Sequence, residues 1–187
     1  LMEQEISCHL PYHATPFIGR ARLLNELSLA FSDEKHRLVT LGGTGGVGKT
    51  RLSIQHGQED QRQYPGGIWF CDLSEVHSIE GICTAIANAL EVPLGIGQPI
   101  EQLAKIIATK KRCLVILDNF EQVVEHAHST LGVWLKKAPS ACFLITSREA
   151  LRIDEEHVVS VTPFPMDDAV SLFTEYAVRA APGFVCS

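Results

Sequence analysis

The sequence predicts a three-layer α/β domain, in which helices cover both faces of a five-stranded parallel sheet. Short apolar runs of strand length recur along the chain, and the segments between them show the apolar spacing of helices. The runs cover residues 38–41, 68–72, 113–117, 142–145 and 158–161. Strands that alternate with helices are parallel, because each helix returns the chain across a face of the sheet. A glycine-rich segment directly after the first run also favours this class.

Composition excludes several function classes. The chain has 187 residues, 45% hydrophobic and 20% charged, which is ordinary for a globular protein. Its net charge of −6 argues against direct nucleic acid binding. No apolar run approaches the roughly 18 residues of a membrane span, so no membrane partner is expected. The 6 cysteines form no C-x-x-C pair, a pattern that favours a cytoplasmic location over a disulfide framework or a zinc site.

The N-terminal part is predicted to divide into an arm and the start of the domain. Residues 1–16 contain two prolines and lack periodicity, so we expect an extended N-terminal arm, followed by one domain over residues 17–187. The first helix has an apolar stripe, formed by Leu23, Leu24, Leu27 and Phe31.

The remaining elements alternate as the fold class requires. The run at 113–117 is almost entirely apolar, which is typical of a strand buried on both faces. The apolar spacing between the runs predicts helices, and Asp167 is expected to cap the last of them. These helices cover about 49–63, 79–90, a segment around 103–107, about 123–135, and about 167–181.

The segment that follows the first strand fits G-x-x-x-x-G-K-[ST], a loop that holds phosphates between a strand and a helix. Its residues are Gly43, Thr44, Gly45, Gly46, Val47, Gly48, Lys49 and Thr50. Glycines let backbone N–H groups close around a polyphosphate, and the next helix adds the positive end of its dipole. Lys49 is predicted to reach the β- and γ-phosphates, and Thr50 to ligate Mg²⁺. We therefore expect a P-loop NTPase domain.

The same glycines also fit a dinucleotide-binding loop. Gly43, Gly45 and Gly48 match G-x-G-x-x-G, and Asp72 ends the next strand about where a ribose-binding acid belongs. A dinucleotide loop has no use for the ammonium of Lys49 or the hydroxyl of Thr50. The phosphate-loop interpretation is therefore preferred.

Polar residues follow the third strand and are candidates for metal binding and catalysis. Asp118 ends this strand at the edge where ligands of α/β sheets bind, and we expect it to hold Mg²⁺ opposite Thr50. Asn119 can position a water but cannot accept its proton. Glu121 is either a base or simply an acid in the first turn of a helix. Because no carboxylate directly follows Asp118, slow hydrolysis is expected.

Two arginines are further candidates. Arg148 ends the next strand and is expected to contact the γ-phosphate, so that ATP and ADP are distinguished; the alternative is a surface arginine. Arg51 lies one turn into the helix after the phosphate loop, and its part in nucleotide binding stays open.

Together these segments resemble the nucleotide-binding domain of STAND-type signalling ATPases, which are relatives of the AAA+ and NB-ARC proteins. The resemblance rests on Phe17-Ile18-Gly19-Arg20, residues 43–50, residues 114–119, Thr146-Ser147-Arg148, and Val161-x-Pro163-Phe164 with the segment after it. Among these proteins the chain is most similar to ATPases of bacterial transcriptional regulators. Their metal strand typically ends in Asp-Asn-Phe-Glu, as residues 118–121 do here.

The resemblance implies a sheet of order 2-3-4-1-5 and a bound adenine nucleotide, ATP or ADP, with Mg²⁺. It implies that Phe17, Ile18 and Arg20 lie on the adenine side, and that residues 146–148 form the sensor strand. The family usually has an acid after Gly-Arg, where this chain has Ala21. Family members carry effector and sensor domains in the same chain and self-associate when activated. We therefore expect this chain to be the core of a larger protein.

Two functions follow from these observations. The leading hypothesis is the ATP/ADP-binding switch domain of a multidomain signalling or transcription-regulatory ATPase, with slow or regulated ATP hydrolysis. The alternative is a P-loop ATPase or phosphotransferase enzyme acting on its own. GTP is disfavoured because no Asn-Lys-x-Asp segment occurs, and a module that binds no nucleotide is disfavoured by Lys49, Thr50 and Asp118.

Overall fold

The computed structural model describes residues 6–32, 36–164, 169–170, 173–174 and 177. The helix expected over about 167–181 lies largely outside these residues, although the described residues within it are helical. No helix in the described ranges is both long and apolar enough to cross a membrane.

Strands and helices largely alternate along the described chain, except that the third and fourth helices are consecutive, as are the fifth and sixth strands. The strands are β1 Cys8–His9, β2 Leu38–Gly42, β3 Ile68–Asp72, β4 Cys113–Asp118, β5 Ala141–Ser147 and β6 Glu156–Ser160. The helices with defined bounds are α1 Ala21–Ser32, α2 Lys49–Glu59, α3 Ile79–Ala89, α4 Pro99–Ala108 and α5 Leu131–Lys137.

The strands form one parallel sheet of 6 strands in the order β1-β3-β4-β5-β2-β6. The prediction of five strands is therefore wrong in number, whereas the five predicted strands do stand in the expected order. The additional strand, β1, lies in the N-terminal arm and has only 2 residues, both exposed. It joins the edge through backbone hydrogen bonds, such as the one from Ile68 N to Ser7 O, so no apolar run marks it in the sequence.

The helix predicted over about 123–135 is also wrong in its extent. Two short 3₁₀ segments, Phe120–Gln122 and Val124–His126, precede α5, which begins only at Leu131. Most of the apolar residues that suggested one helix, among them Val123 and Trp134, are nonetheless fully buried. Their spacing thus reflects burial against the sheet and not a continuous helix. Similarly, α2 ends at Glu59, and a 3₁₀ turn follows it over Gln61–Gln63.

The sheet separates two hydrophobic cores, one under α3, α4 and α5 and one under α1 and α2. Strand β4 is buried along its whole length and contributes to both. Cys113, Val115 and Leu117 belong to the first core, while Leu114 and Ile116 belong to the second. This alternation is the expected consequence of a period of two in a strand covered on both faces.

The parallel register brings several chain segments to one edge of the sheet. Asp72 at the end of β3 is paired with Asp118 at the end of β4, and Gly42 at the end of β2 is paired with Ser147 at the end of β5. The loop over residues 43–50, the turn after Asp118 and the residues after β5 therefore meet at the carboxyl edge, where open α/β sheets bind ligands.

Gly66 lies just before β3, at the amino edge of the sheet, and offers a test of the packing there. A Cβ atom at this position would lie 2.3 Å from the carbonyl oxygen of Lys111, and backbone cannot yield as a side chain does. Gly66→Ala is expected to lower the free energy of unfolding by at least about 2 kcal/mol. Gly132→Ala is the control, because α5 leaves open space around Gly132, and its effect should stay within about 1 kcal/mol. Equal urea midpoints for the two variants would contradict this packing.

Candidate functional site

The loop over residues 43–50 connects the end of β2 to the start of α2. Gly46 and Gly48 have φ values of 79° and 89°, a left-handed conformation that side chains other than glycine rarely adopt. A Cβ atom on Gly43 would lie only 2.3 Å from the carbonyl oxygen of Val161. Glycine is therefore required at this position because the loop packs against the chain that follows β6.

Lys49, the first residue of α2, is directed onto the loop itself. Its side chain is largely buried, and Nζ donates hydrogen bonds to the carbonyl oxygens of Gly43 and Thr44, at 2.7 and 2.9 Å. Burial lowers the pKa of Lys49, an effect opposed by the negative charges of Glu121 and Asp118. The ammonium group thus lies next to the loop that the sequence predicts to bind phosphate.

Asp118 connects the phosphate loop to the two central strands. The Thr50 hydroxyl donates to both carboxylate oxygens of Asp118, at 2.8 and 3.0 Å. From β5, the Thr146 hydroxyl donates to Asp118 Oδ1 at 2.5 Å and accepts from the Asn119 backbone N–H at 3.0 Å. The structure therefore places the two residues that the sequence predicts as metal ligands, Thr50 and Asp118, in direct contact.

The carboxylate of Asp118 is held in an unfavourable environment. Burial raises the pKa of Asp118, and the neighbouring acids Asp72 and Glu121 raise it further, while hydrogen bonds from Thr146 and Thr50 oppose the shift. A negative charge that is costly in the protein alone is one that a bound cation would stabilise.

Asn119 follows Asp118 in a left-handed conformation, with φ at 60°. Its amide nitrogen Nδ2 lies 3.0 Å from Asp72 Oδ1 and 3.2 Å from Asp118 Oδ2, so it donates toward two carboxylates at once. Sequence reasoning considered Asp72 only as the ribose acid of the rejected dinucleotide alternative. Asp72 and Asp118 end two consecutive strands, and this pattern could have predicted that they lie next to each other.

Glu121 and Arg148 form an ion pair beside the loop. Arg148 Nε lies 3.0 Å from Glu121 Oε1, and the side chains are 66% and 13% exposed, respectively. The second carboxylate oxygen, Glu121 Oε2, is buried without a hydrogen-bond partner. The guanidinium group of Arg148 also approaches the phosphate loop, 3.5 Å from the position of a Cβ on Gly45. The structure thus brings the predicted base and the predicted sensor arginine together.

A cavity of about 170 Å³ opens on the other side of the loop. It is lined by Pro16, Phe17, Ile18, Arg20, Gly46, Val47, Gly48, Arg51 and Phe164. Arg20 has a φ of 60°, and its Nη2 donates to the carbonyl oxygens of Val47, at 2.6 Å, and of Thr162, at 3.0 Å. The guanidinium group lies 4.2 Å from the ring centroid of Phe164. The segment expected on the adenine side therefore does border the phosphate loop.

Arg51 fastens the N-terminal arm to α2. Its guanidinium nitrogens donate to Thr15 Oγ1 at 2.7 Å and to the carbonyl oxygens of Thr15 and Pro16 at 2.9 and 3.0 Å. Arg51 also lines the cavity next to Phe17. These contacts give it a structural part that its sequence position did not indicate.

The residues present fit Mg²⁺ and a phosphate chain. Thr50 and Asp118 supply the oxygen atoms that this ion prefers, and Lys49 supplies a cation. The described residues contain no group of three or more His, Cys, Asp or Glu side chains that could hold a metal. Mg²⁺ usually takes one or two protein ligands and completes its shell with phosphates and water.

Comparison with known proteins decides the family. The NB-ARC domain matches residues 21–182 of this chain. The chain belongs to the NB-ARC family. A protein of Mycobacterium tuberculosis named as a putative HTH-type transcriptional regulator is 33% identical over 151 residues, which are 80% of this chain and 17% of that protein. The resemblance to NB-ARC and STAND-type ATPase domains drawn from the sequence is thus confirmed.

Solved structures show the same fold at low identity. Cdc6p from Pyrobaculum aerophilum has a TM-score of 0.65 and 15% identity, covering 90% of this chain and 52% of its own. A STAND protein with a tetratricopeptide repeat sensor from Pyrococcus horikoshii has a TM-score of 0.53 and 16% identity, covering 94% of this chain and 27% of its own.

An uncharacterised M. tuberculosis protein, 33% identical over 92% of this chain, is matched over 44% of its length. The chain thus spans less than half of the curated relatives it matches.

The raised pKa of Asp118 predicts a pH dependence of stability. Between the ordinary value of 3.8 and the raised value in the fold, the folded protein binds more protons than the unfolded chain, so stability falls as pH rises through this window. Asp118→Asn keeps an oxygen that can accept hydrogen bonds from Thr50 and Thr146, and it removes the ionisation that lowers stability as pH rises. We expect the variant to gain stability relative to the unsubstituted protein as the pH rises above the ordinary value of 3.8, measured by urea unfolding. Asp154→Asn, at an exposed acid, is the control, and an equal gain there would refute the explanation.

Proposed function

We propose that this NB-ARC domain is an adenine-nucleotide switch, which binds ATP or ADP with Mg²⁺ and hydrolyses ATP slowly. The observation that carries the proposal is the contact between the Thr50 hydroxyl and the Asp118 carboxylate, at 2.8 and 3.0 Å. It joins the loop after β2 to the acid that ends β4, on the far side of β5, at the edge where such sheets bind ligands. NTPases of this kind hold Mg²⁺ with that pair of residue types.

Phosphate binding would use groups that the fold already holds in place. The N–H groups of residues 43–50 and of the first turn of α2 offer donors, and the helix dipole favours negative charge there. Lys49, which now donates to the carbonyl oxygens of Gly43 and Thr44, would exchange them for phosphate oxygens. Thr50 and Asp118 would hold Mg²⁺, whose charge stabilises the polyphosphate.

The cavity beside the loop is the proposed adenine site. Phe17, Ile18 and Phe164 give it apolar walls, and it lies against Gly46 to Gly48, so that one ligand can occupy both. Arg20 donates to the loop and to the chain after β6, which fixes the wall of this cavity. Arg51 supports the same wall through Thr15 and Pro16.

The ion pair of Arg148 and Glu121 is proposed to couple nucleotide state to the protein. Arg148 is mostly exposed and lies near the loop, so a γ-phosphate would compete with Glu121 for its guanidinium group. Glu121 is the candidate base, and in this pair its carboxylate is occupied by a cation. Hydrolysis then depends on separating the pair, which is a physical reason for a slow rate. Asn119 adds no carboxylate that could replace Glu121.

The relatives suggest the setting of such a switch. Proteins matched by this chain are much longer, and one is named as an HTH-type transcriptional regulator. We propose that effector and sensor domains of the same parent protein respond to the nucleotide state and that the active form self-associates. The described cysteines at 8, 71, 83, 113 and 142 are free thiols, which is compatible with the proposed cytoplasmic location.

The alternative is an ATPase or phosphotransferase that acts on its own. Steady-state ATP hydrolysis by this chain distinguishes the two functions. Turnover near the ~10 s⁻¹ typical of enzymes would favour the alternative, and turnover orders of magnitude slower favours the switch.

Removal of the Lys49 ammonium tests nucleotide binding itself. At ADP concentrations of about a hundred times Kd with Mg²⁺, binding should stabilise the protein by about 2.7 kcal/mol, seen as a rise in Tm. Lys49→Ala should lose this rise, because no other group replaces its charge in the loop. Lys105→Ala, at an exposed lysine on α4, should keep it. A Lys49→Ala protein that responds to ADP like the unsubstituted protein would show that the phosphate-loop assignment is wrong.

Arg148→Ala tests the discrimination between the two nucleotides. Because only ATP offers a γ-phosphate, the variant should bind ATP about tenfold more weakly and ADP with unchanged affinity, as measured by calorimetry. Arg62→Ala removes an exposed arginine after α2 and should change neither affinity. A parallel loss for ATP and ADP in Arg148→Ala would contradict the sensor role.

A further inference from the structure

Several acidic side chains lie close together at the carboxyl edge of the sheet, where Mg²⁺ is proposed to bind. Asp72 and Asp118 share the Asn119 amide, and Glu121 nearby is paired with Arg148. Asp72 and Asp118 are direct partners across β3 and β4, so the two negative charges face each other at the ends of neighbouring strands. Like charges in this arrangement repel each other unless a donor lies between them.

Asn119 supplies that donor. A single nitrogen, Nδ2, lies 3.0 Å from Asp72 Oδ1 and 3.2 Å from Asp118 Oδ2. The backbone of Asn119 is fixed independently, since its N–H donates to the Thr146 hydroxyl at 3.0 Å and its φ is 60°. Asparagine is one of the few residues other than glycine that adopt this conformation readily. The amide is therefore directed between the two acids by the local fold.

We propose that Asn119 is a positioning residue, which bridges Asp72 and Asp118 and orients the Asp118 carboxylate for its cation. In this interpretation, residue 119 carries an amide because a donor is needed between Asp118 and the acid at position 72. An aspartate at 119 would direct an acceptor at two carboxylates and lose both hydrogen bonds. This assigns to Asn119 and Asp72 a joint part in holding Asp118, separate from the water-positioning part considered for Asn119 from sequence.

The bridge also explains how Asp118 keeps one orientation. Its Oδ1 accepts from Thr50 and Thr146, whereas its Oδ2 accepts from Thr50 and Asn119. The two oxygens share the single Thr50 hydroxyl hydrogen, and Asn119 is the further donor on Oδ2, from outside the phosphate loop. Without it, Oδ2 depends on Thr50 alone, a residue that is itself expected to turn toward Mg²⁺.

A double-mutant cycle tests the coupling without any ligand. Asn119→Asp, Asp72→Asn and the double variant are compared by urea unfolding in the absence of nucleotide and Mg²⁺. Asn119→Asp is expected to lower the urea midpoint, and the same change is expected to lower it less in the Asp72→Asn background, because one of the two opposing carboxylates is gone. An equal effect in both backgrounds, or no effect of Asn119→Asp, would overturn the proposed bridge.

A second variant tests the orientation of Asp118 and rests on the function proposed above. Asn119→Gly keeps the left-handed backbone and removes only the side chain, so the fold is retained. The Mg²⁺ concentration that half-saturates the ADP-dependent rise in Tm should increase about three- to tenfold. Asp154→Asn, an exposed acid change, should leave it unchanged. An unaltered Mg²⁺ requirement in Asn119→Gly would overturn the positioning role.

The two experiments fail in distinguishable ways. If the unsubstituted protein shows no response to ADP and Mg²⁺, the proposed function is wrong, and with it the part of Asn119 in cation binding. The ligand-free cycle then still decides whether Asn119 couples Asp72 to Asp118.

Discussion

The site depends on the hydrogen bonds that converge on the Asp118 carboxylate. Thr50 reaches it from the phosphate loop and Thr146 from β5, so one acid ties together a loop and two strands that are distant in sequence. The carboxylate is almost fully buried, and burial without partners would cost several kcal/mol. The surrounding hydroxyl groups reduce that cost but leave the charge incompletely compensated, which suits a residue whose partner is a cation.

This arrangement requires glycine and polar residues where packing alone would favour others. Gly43 is required by the nearby Val161 carbonyl group, and Gly46 and Gly48 by their left-handed backbone. Arg20 and Asn119 also adopt positive φ values, although neither is glycine. Residues in this conformation are uncommon and concentrate at functional sites. Of the four described non-glycine residues with positive φ, Arg20 and Asn119 flank the phosphate loop, one on the side of the cavity and the other on the side of Asp118, whereas Glu91 and Arg152 lie outside the site.

Much of the fold could be predicted from the sequence because its signals are local. The apolar runs, the glycine-rich loop and the acid that ends β4 each lie within a few residues, and the runs predicted five of the strands, whereas the sheet order came from the family resemblance. Strand β1 could not be found in this way, since its 2 exposed residues join the sheet only through backbone groups. The 3₁₀ segments before α5 were missed for a related reason: buried residues such as Val123 and Trp134 have helical spacing without forming one helix.

The contacts within the site were less accessible to sequence reasoning. Which acid lies beside Asp118 depends on the pairing of β3 with β4, and the pairing of Glu121 with Arg148 depends on β5 lying next to β4. The position of Arg51 in α2 left its part in nucleotide binding open, and its contacts with Thr15 and Pro16 come from a separate segment, the N-terminal arm. Such relations are tertiary, and no short motif encodes them.

The membership of β4 in both hydrophobic cores has a consequence for the whole molecule. Leu117 packs under one layer of helices and Ile116 under the other, and Asp118 is the next residue along the same strand. Both helical layers therefore pack against the strand that carries the Asp118 carboxylate, and β4 is the physical connection from either core to the carboxyl edge of the sheet.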